Sequence, residues 1–110
     1  MTSWRLYAVQ RVTAALMLPL ILGHLGVIFF ASARGITAAE ILGRTRGSWG
    51  WGLFYGLFVI LAAAHGAIGV RGVCKEWFGL PAHTLDVILW VTGAGLLALG
   101  LRAVAAVVLA

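Results

Sequence analysis

The chain has 110 residues, of which 63% are hydrophobic and only 10% are charged. Soluble domains average about 45–50% apolar and about 25% charged residues, so this composition indicates a membrane protein, and the length allows a single domain. The net charge of +5 comes from eight basic residues at or between the ends of apolar runs, which excludes a clustered nucleic-acid-binding surface.

Three long apolar stretches predict transmembrane helices. The first runs from Val12 to Ala33 and the second from Ser48 to Val70, both without a charge, and the third begins at Val87 and continues past Arg102. About 20 apolar residues cross the roughly 30 Å hydrocarbon layer of a bilayer. We therefore predict an all-α transmembrane bundle of three helices in one domain, joined by minimal loops, with spans at about 10–33, 48–72 and 85–108.

The positive charges leave the orientation of the bundle open. With three spans, the N-terminus and the second connection lie on one side of the membrane, and the first connection and the C-terminus lie on the other. The first side carries Arg5, Arg11, Arg71 and Lys75, and the second carries Arg34, Arg44, Arg46 and Arg102. Because each side carries four positive charges, the positive-inside rule does not determine the orientation.

The second span contains a histidine on a helical face that also carries two glycines. His65, Gly69, Gly72 and Glu76 follow one another at i, i+4, i+7 and i+11, so they form one stripe. An imidazole in hydrocarbon costs several kcal/mol without a partner, and glycines beside it leave room for a wide, flat group. The pattern indicates a haem held by His65, with Arg71 placed for a propionate. The alternatives are a histidine that hydrogen-bonds a neighbouring helix and an ordinary interfacial arginine.

A second intramembrane histidine, His24, lies on the first span. It follows Thr13 on the same helical face, eleven residues later. Because the first two spans are antiparallel, we predict Thr13 near the level of Glu76, and His24 at the depth of His65. Two histidines at one depth can serve one haem between the spans or two haems with outside partners. The alternative for His24 is a hydrogen bond to a neighbouring helix.

Polar groups near the start of the first span suit a carbonyl-bearing ring such as a quinone. Arg11 and Thr13 supply donors there, and Trp77 supplies an indole N–H on the same side of the membrane. The alternative is that these residues only anchor the helices at the membrane interface.

Two motifs carry a resemblance to a known family. The segment Gln10-Arg11-Val12-Thr13-Ala14 resembles the Arg-x-Ser/Thr-Gly opening of the first span in the membrane anchors of succinate dehydrogenase and fumarate reductase. The pattern His65-x-x-x-Gly69-x-Arg71-x-x-x-x-Glu76 is similar to the His-x-x-x-Gly-x-Arg…Asp segment that closes the second span of those anchors. The two motifs occur in the family's order, in a chain of about the usual length.

The resemblance implies a cytochrome b subunit that is not an enzyme by itself. His65 would be an axial ligand of haem b, Arg71 a partner of its propionate, and Arg11 part of the quinone site. Glu76 takes the place of the family's Asp, and Trp77 stands where a quinone-bonding Tyr is usual. The implied partners are the iron–sulfur and flavoprotein subunits, which pass electrons from succinate to quinone, and a second membrane anchor chain. The implied location is the bacterial inner membrane, with the N-terminus cytoplasmic.

Departures from the family pattern leave the number of haems open. Gly72 stands where the large anchor subunit often has a histidine, and His24 is not part of the motif of the one-haem types. Either one haem or two would be consistent with the sequence. The alternatives in function are a haem-free anchor, a cytochrome b anchor of another respiratory oxidoreductase, and a small proton-relaying transport subunit.

Overall fold

The computed structural model describes residues 3–109, and this part of the chain folds into four helices and no strands. They are α1 (Ser3–Arg34), α2 (Ala38–Thr45), α3 (Trp49–Phe78) and α4 (Ala82–Val108). The three long helices are long and apolar enough to cross a membrane. This confirms the predicted all-α bundle with three transmembrane helices.

The long helices extend beyond the predicted spans because their ends are set by local signals. The hydroxyl of Ser48 accepts a hydrogen bond from the Trp51 N–H at 3.3 Å and caps the start of α3. Gly79, with φ +59°, ends α3 in the left-handed conformation that glycine adopts without strain. At 1.5 Å per residue, the 30 residues of α3 measure about 45 Å, which exceeds the hydrocarbon thickness.

α3 is the central helix of the bundle, with α1 and α4 packed on its two sides. Small residues allow α3 and α4 to approach closely. A Cβ added at Gly93 would lie 3.4 Å from the Cβ of Ala67, and one added at Gly100 would overlap the methyl groups of Val59. Contacts of this kind replace the hydrophobic effect as the source of helix association inside a bilayer.

The short helix α2 was not predicted, and it closes one end of the bundle. The Thr37 hydroxyl caps it by accepting a hydrogen bond from the Glu40 N–H at 3.2 Å. Thr45 is buried, and its hydroxyl donates to the Val107 carbonyl of α4 at 2.6 Å. The spacing Thr37-Ala-Ala-Glu40 is that of a capping box, which is the sequence signal for this helix.

Most of the surface of the long helices faces outward. At most 22% of the residues in the most apolar window of any span are buried within the chain. Large apolar side chains such as Phe29, Leu53 and Trp90 are about 70% exposed. In a membrane protein such surfaces contact lipid or another chain, and here they extend over all three spans.

Candidate functional site

His65 is held by two groups of α1. Its Nδ1 atom lies 3.2 Å from the Gln10 carbonyl oxygen and 3.3 Å from the Thr13 hydroxyl oxygen. The Thr13 hydroxyl lies 2.7 Å from the Val9 carbonyl, to which it can donate its own proton. Since a carbonyl oxygen only accepts, this network assigns the imidazole proton to Nδ1 and leaves the lone pair on Nε2.

This arrangement is the one that metal-ligating histidines adopt. Such a residue binds the metal through one ring nitrogen and donates the other N–H to a backbone carbonyl or carboxylate, which fixes the tautomer and the ring orientation. The Gln10 carbonyl has this role towards His65. His65 therefore fits a group such as haem, which it would hold through Nε2.

His24 lacks the corresponding partner. Its Nδ1 atom is buried, and it has no hydrogen-bond partner within residues 3–109. The ring contacts Tyr55 and Phe58 edge-on, with centroids 5.8 and 5.7 Å away, and it borders an apolar cavity of about 370 Å³ that reaches Thr45. A histidine surrounded in this way has neither its tautomer nor its orientation fixed by a hydrogen bond.

The prediction that His24 and His65 lie at one depth is wrong. Thr13 contacts His65, whereas His24 contacts Tyr55 and Phe58, which precede His65 on α3 by seven to ten residues. At 1.5 Å per residue, the two histidines are about 10–15 Å apart along the bundle. A single haem held by both histidines of one chain is therefore incompatible with this packing.

The prediction that Thr13 lies level with Glu76 is wrong for the same reason. Thr13 lies at His65, eleven residues before Glu76 on α3, and α1 begins at Ser3. The prediction aligned the first apolar residues of one span with the last residues of the next. In the structure, nearly three turns of α1 precede Thr13, and these turns lie opposite the end of α3 instead.

The glycine stripe next to His65 is only partly open. A Cβ added at Gly69 would lie 3.6 Å from the side-chain amide nitrogen of Gln10, so α1 occupies the space predicted there. A Cβ added at Gly72 would meet nothing within 4 Å. Free space within the chain thus begins one turn beyond Gly69.

Arg71 forms a salt bridge that the sequence analysis did not predict. Its Nε and Nη2 atoms lie 3.2 and 3.1 Å from one carboxylate oxygen of Asp86. The Arg71 side chain is 13% exposed, and the pair ties the end of α3 to the start of α4. The signal was available, because the two residues are opposite charges flanking the second connection. A guanidinium has five N–H donors, so donors remain beyond this contact.

The candidate quinone-binding residues do not form one pocket within the chain. Thr13 is buried against His65, whereas Arg11 is exposed, with its guanidinium carbon 5.6 Å from the centroid of the Tyr7 ring. Glu76 and Trp77 are exposed, and they lie about 17 Å beyond His65 along α3. The structure leaves all three side chains on the outer surface, with Arg11 near the level of His65 and with Glu76 and Trp77 at the N-terminal end of the bundle.

These features define an integral membrane subunit with an intramembrane histidine whose Nδ1 atom is held by α1. No group of three or more metal-ligating side chains occurs in the part of the chain that the structure describes, so the protein offers single imidazoles. The chain belongs to the succinate dehydrogenase/fumarate reductase transmembrane subunit family, whose family model matches residues 1–109. It is therefore a membrane subunit of an oxidoreductase complex, as the two motifs predicted. Comparison with curated proteins and with solved structures finds no significant match.

Proposed function

We propose that this chain is the membrane anchor that holds haem b through His65 and contributes Arg11 to a quinone site. The observation that carries the proposal is the hydrogen bond between His65 Nδ1 and the Gln10 carbonyl, at 3.2 Å. This contact leaves Nε2 free for a metal. His65 lies five residues before Val70, where the uncharged run of the second span ends. Haem b bound there would supply a one-electron redox centre for transfer towards quinone.

The other axial ligand comes from a second membrane anchor chain. His24 cannot reach the level of His65, and the remaining histidine, His83, lies in the first turn of α4, before the uncharged run that begins at Val87. The outward-facing surface of the long helices leaves room for such a chain. Arg71 keeps N–H donors for a propionate in addition to its bond with Asp86.

The N-terminal end of the bundle is the proposed docking side for the iron–sulfur and flavoprotein subunits. The ends of α1 and α3 carry exposed residues there, among them Arg5, Lys75 and the acidic Glu76. Haem at His65 would lie in the half of the membrane nearest to this end. The family implies the bacterial inner membrane with the N-terminus cytoplasmic, which agrees with docking on this side.

A haem-free anchor is the second candidate function, and two contacts favour it. Nδ1 of His65 is satisfied by α1, and the side chain of Gln10 fills the space at Gly69. A histidine in this position also bridges two helices without any cofactor.

A dithionite-reduced minus oxidised visible spectrum of the complex, purified with its co-purifying subunits, separates these candidates. We expect a b-type spectrum and one haem per copy of this chain. Two haems per copy would give His24 a haem of its own. An intact complex without haem would contradict the haem proposal and support the haem-free anchor.

Thr13→Val is expected to loosen haem without unfolding the bundle. The valine keeps the volume and removes the hydroxyl oxygen that lies 3.3 Å from His65 Nδ1, while the Gln10 carbonyl remains. Loss of an outer-shell partner lowers metal affinity by about 10–100-fold. Because one partner is retained, we expect haem to dissociate about tenfold faster, measured by transfer to an excess of apomyoglobin.

The matched control for this substitution is Thr92→Val, on α4. Thr92 is half-buried in the same bundle, and it makes no hydrogen bond to His65. Haem should dissociate from the Thr92→Val variant at the wild-type rate. Equal rates of haem dissociation in both variants would show that Thr13 does not position His65.

A further inference from the structure

Two arginines form a basic patch at the end of the bundle opposite the N-terminus. The guanidinium carbons of Arg34 and Arg44 lie 5.2 and 5.9 Å from the centroid of the same ring, that of Phe30. Arg34 directly follows the uncharged run of the first span, so the patch lies where hydrocarbon gives way to headgroups. Both arginine side chains are exposed.

An apolar groove begins at this patch and runs into the membrane region between α1, α2 and α3. It has a volume of about 310 Å³, with Val27, Ile41 and Trp51 in its walls and Arg44 at its mouth. Gly26 opens the wall on α1, because a Cβ added there would meet nothing within 4 Å. The groove therefore has room for an extended apolar chain whose polar end would lie at Arg44.

The charge of the patch is not neutralised within residues 3–109. The salt bridge found in this range joins Arg71 and Asp86 at the other end of the bundle. Glu40 is the carboxylate nearest in sequence, one turn before Arg44 on α2, and it is exposed and forms no salt bridge. An occupant that combines an apolar chain with a negative charge would complement both parts of the site.

We propose that this groove binds one anionic phospholipid, with an acyl chain along Gly26 and the phosphate between Arg34 and Arg44. Arginine suits the phosphate because its planar guanidinium donates two parallel hydrogen bonds to oxyanions. Basic pockets between transmembrane helices bind anionic lipid headgroups by this chemistry. A free phosphate would leave the groove unused, and a zwitterionic lipid would leave the patch charged.

The first test measures phosphatidylglycerol bound to the purified complex in nanodiscs, by native mass spectrometry. Each arginine near an anionic headgroup contributes about 1 kcal/mol, which is about fivefold in affinity. We therefore expect the double variant Arg34→Gln/Arg44→Gln to bind about thirtyfold more weakly. Arg46→Gln is the matched control, since Arg46 is an exposed arginine of the same connection outside the groove. Equal affinities in the double variant and the control would overturn the proposal.

The second test fills the groove and leaves the charges in place. Gly26→Leu puts a side chain into open space, and Gly95→Leu does the same on α4, away from the groove. We expect only Gly26→Leu to lose the lipid, at least tenfold. If Gly26→Leu retained the lipid, binding would depend on the arginines alone, and the proposed role of the groove would be overturned.

Two further outcomes separate the possible occupants. Phosphatidylglycerol that stays bound in excess inorganic phosphate supports a lipid site, and its displacement would assign the arginines to free phosphate. A photo-crosslinking residue in place of Ile41 should form an adduct of lipid mass. An adduct with a second polypeptide would overturn the proposal in favour of a protein partner.

Discussion

Replacing His65 with alanine is expected to remove haem b from the complex and to leave the subunits assembled. His65 is the histidine whose Nδ1 atom contacts a backbone carbonyl, and in our proposal Nε2 is the nitrogen that holds the haem. Alanine removes the ligand without adding volume, and the Thr13 hydroxyl keeps its bond to the Val9 carbonyl. The measurement is haem per chain from the reduced-minus-oxidised spectrum, with subunit stoichiometry as the check on assembly.

His24→Ala is the matched control for that experiment. It removes an imidazole from the same bundle, and the Nδ1 atom it removes has no partner within the described residues. We expect this variant to keep its full haem complement if the complex holds one haem. A full complement in His65→Ala would exclude His65 as a ligand, and a loss confined to His24→Ala would transfer the ligand role to His24.

The spans and the family could be predicted from sequence because their signals are local. The length of an uncharged run such as Val12–Ala33 matches the number of residues needed to cross the hydrocarbon layer. The motif from His65 to Arg71 lies within two turns of one helix. These features do not depend on how the helices pack. They predicted three transmembrane helices and the family whose model covers residues 1–109.

The register between α1 and α3 could not be predicted in this way. Hydropathy locates the part of a helix within hydrocarbon, but it does not say how far the helix continues beyond it. α3 continues to the left-handed Gly79, and α1 begins at Ser3, so Thr13 lies against His65. An error of this kind moves a residue by several turns and changes which side chains share a site.

Partners contributed by the backbone were equally invisible in the sequence. The group that fixes His65 is the main-chain carbonyl of Gln10, which any residue type would provide. The pairing of Arg71 with Asp86 differs, because the two opposite charges that flank the second connection are visible in the sequence. Side-chain chemistry identified the candidate ligand, and packing identified what holds it.

The corrected register also changes the expected path of electrons. His65 lies in the half of the bundle near the N-terminal end, whereas His24 lies 10–15 Å deeper by the rise of the helix. A haem at His65 is thus close to the side where we propose that the iron–sulfur subunit docks. A quinone that reacts near that side would approach Arg11, which stands at the start of the uncharged run.

Arg11→Ala is expected to impair quinone reduction by about 10–100-fold in kcat/KM, while the oxidation of succinate by artificial dyes continues. The magnitude follows from the loss of a hydrogen bond with a charged donor, which contributes about 1.5–3 kcal/mol. The guanidinium is exposed, and its one contact found within residues 3–109 is with the Tyr7 ring, so its donors are available to a carbonyl oxygen. Steady-state rates with a short-chain quinone and with a dye give the two readouts.

Arg5→Ala separates a quinone contact from a docking contact. Arg5 is also exposed, and its guanidinium carbon lies 5.6 Å from the Trp4 ring, the same distance that Arg11 keeps from Tyr7. Arg5 differs from Arg11 in depth. It lies about 9 Å further out along α1, where a quinone head group does not reach. Loss of quinone reduction in Arg11→Ala alone would therefore assign Arg11 to the quinone. Equal losses in both variants would assign the end of α1 to the binding of the soluble subunits, and unchanged kinetics in Arg11→Ala would exclude that residue from the quinone site.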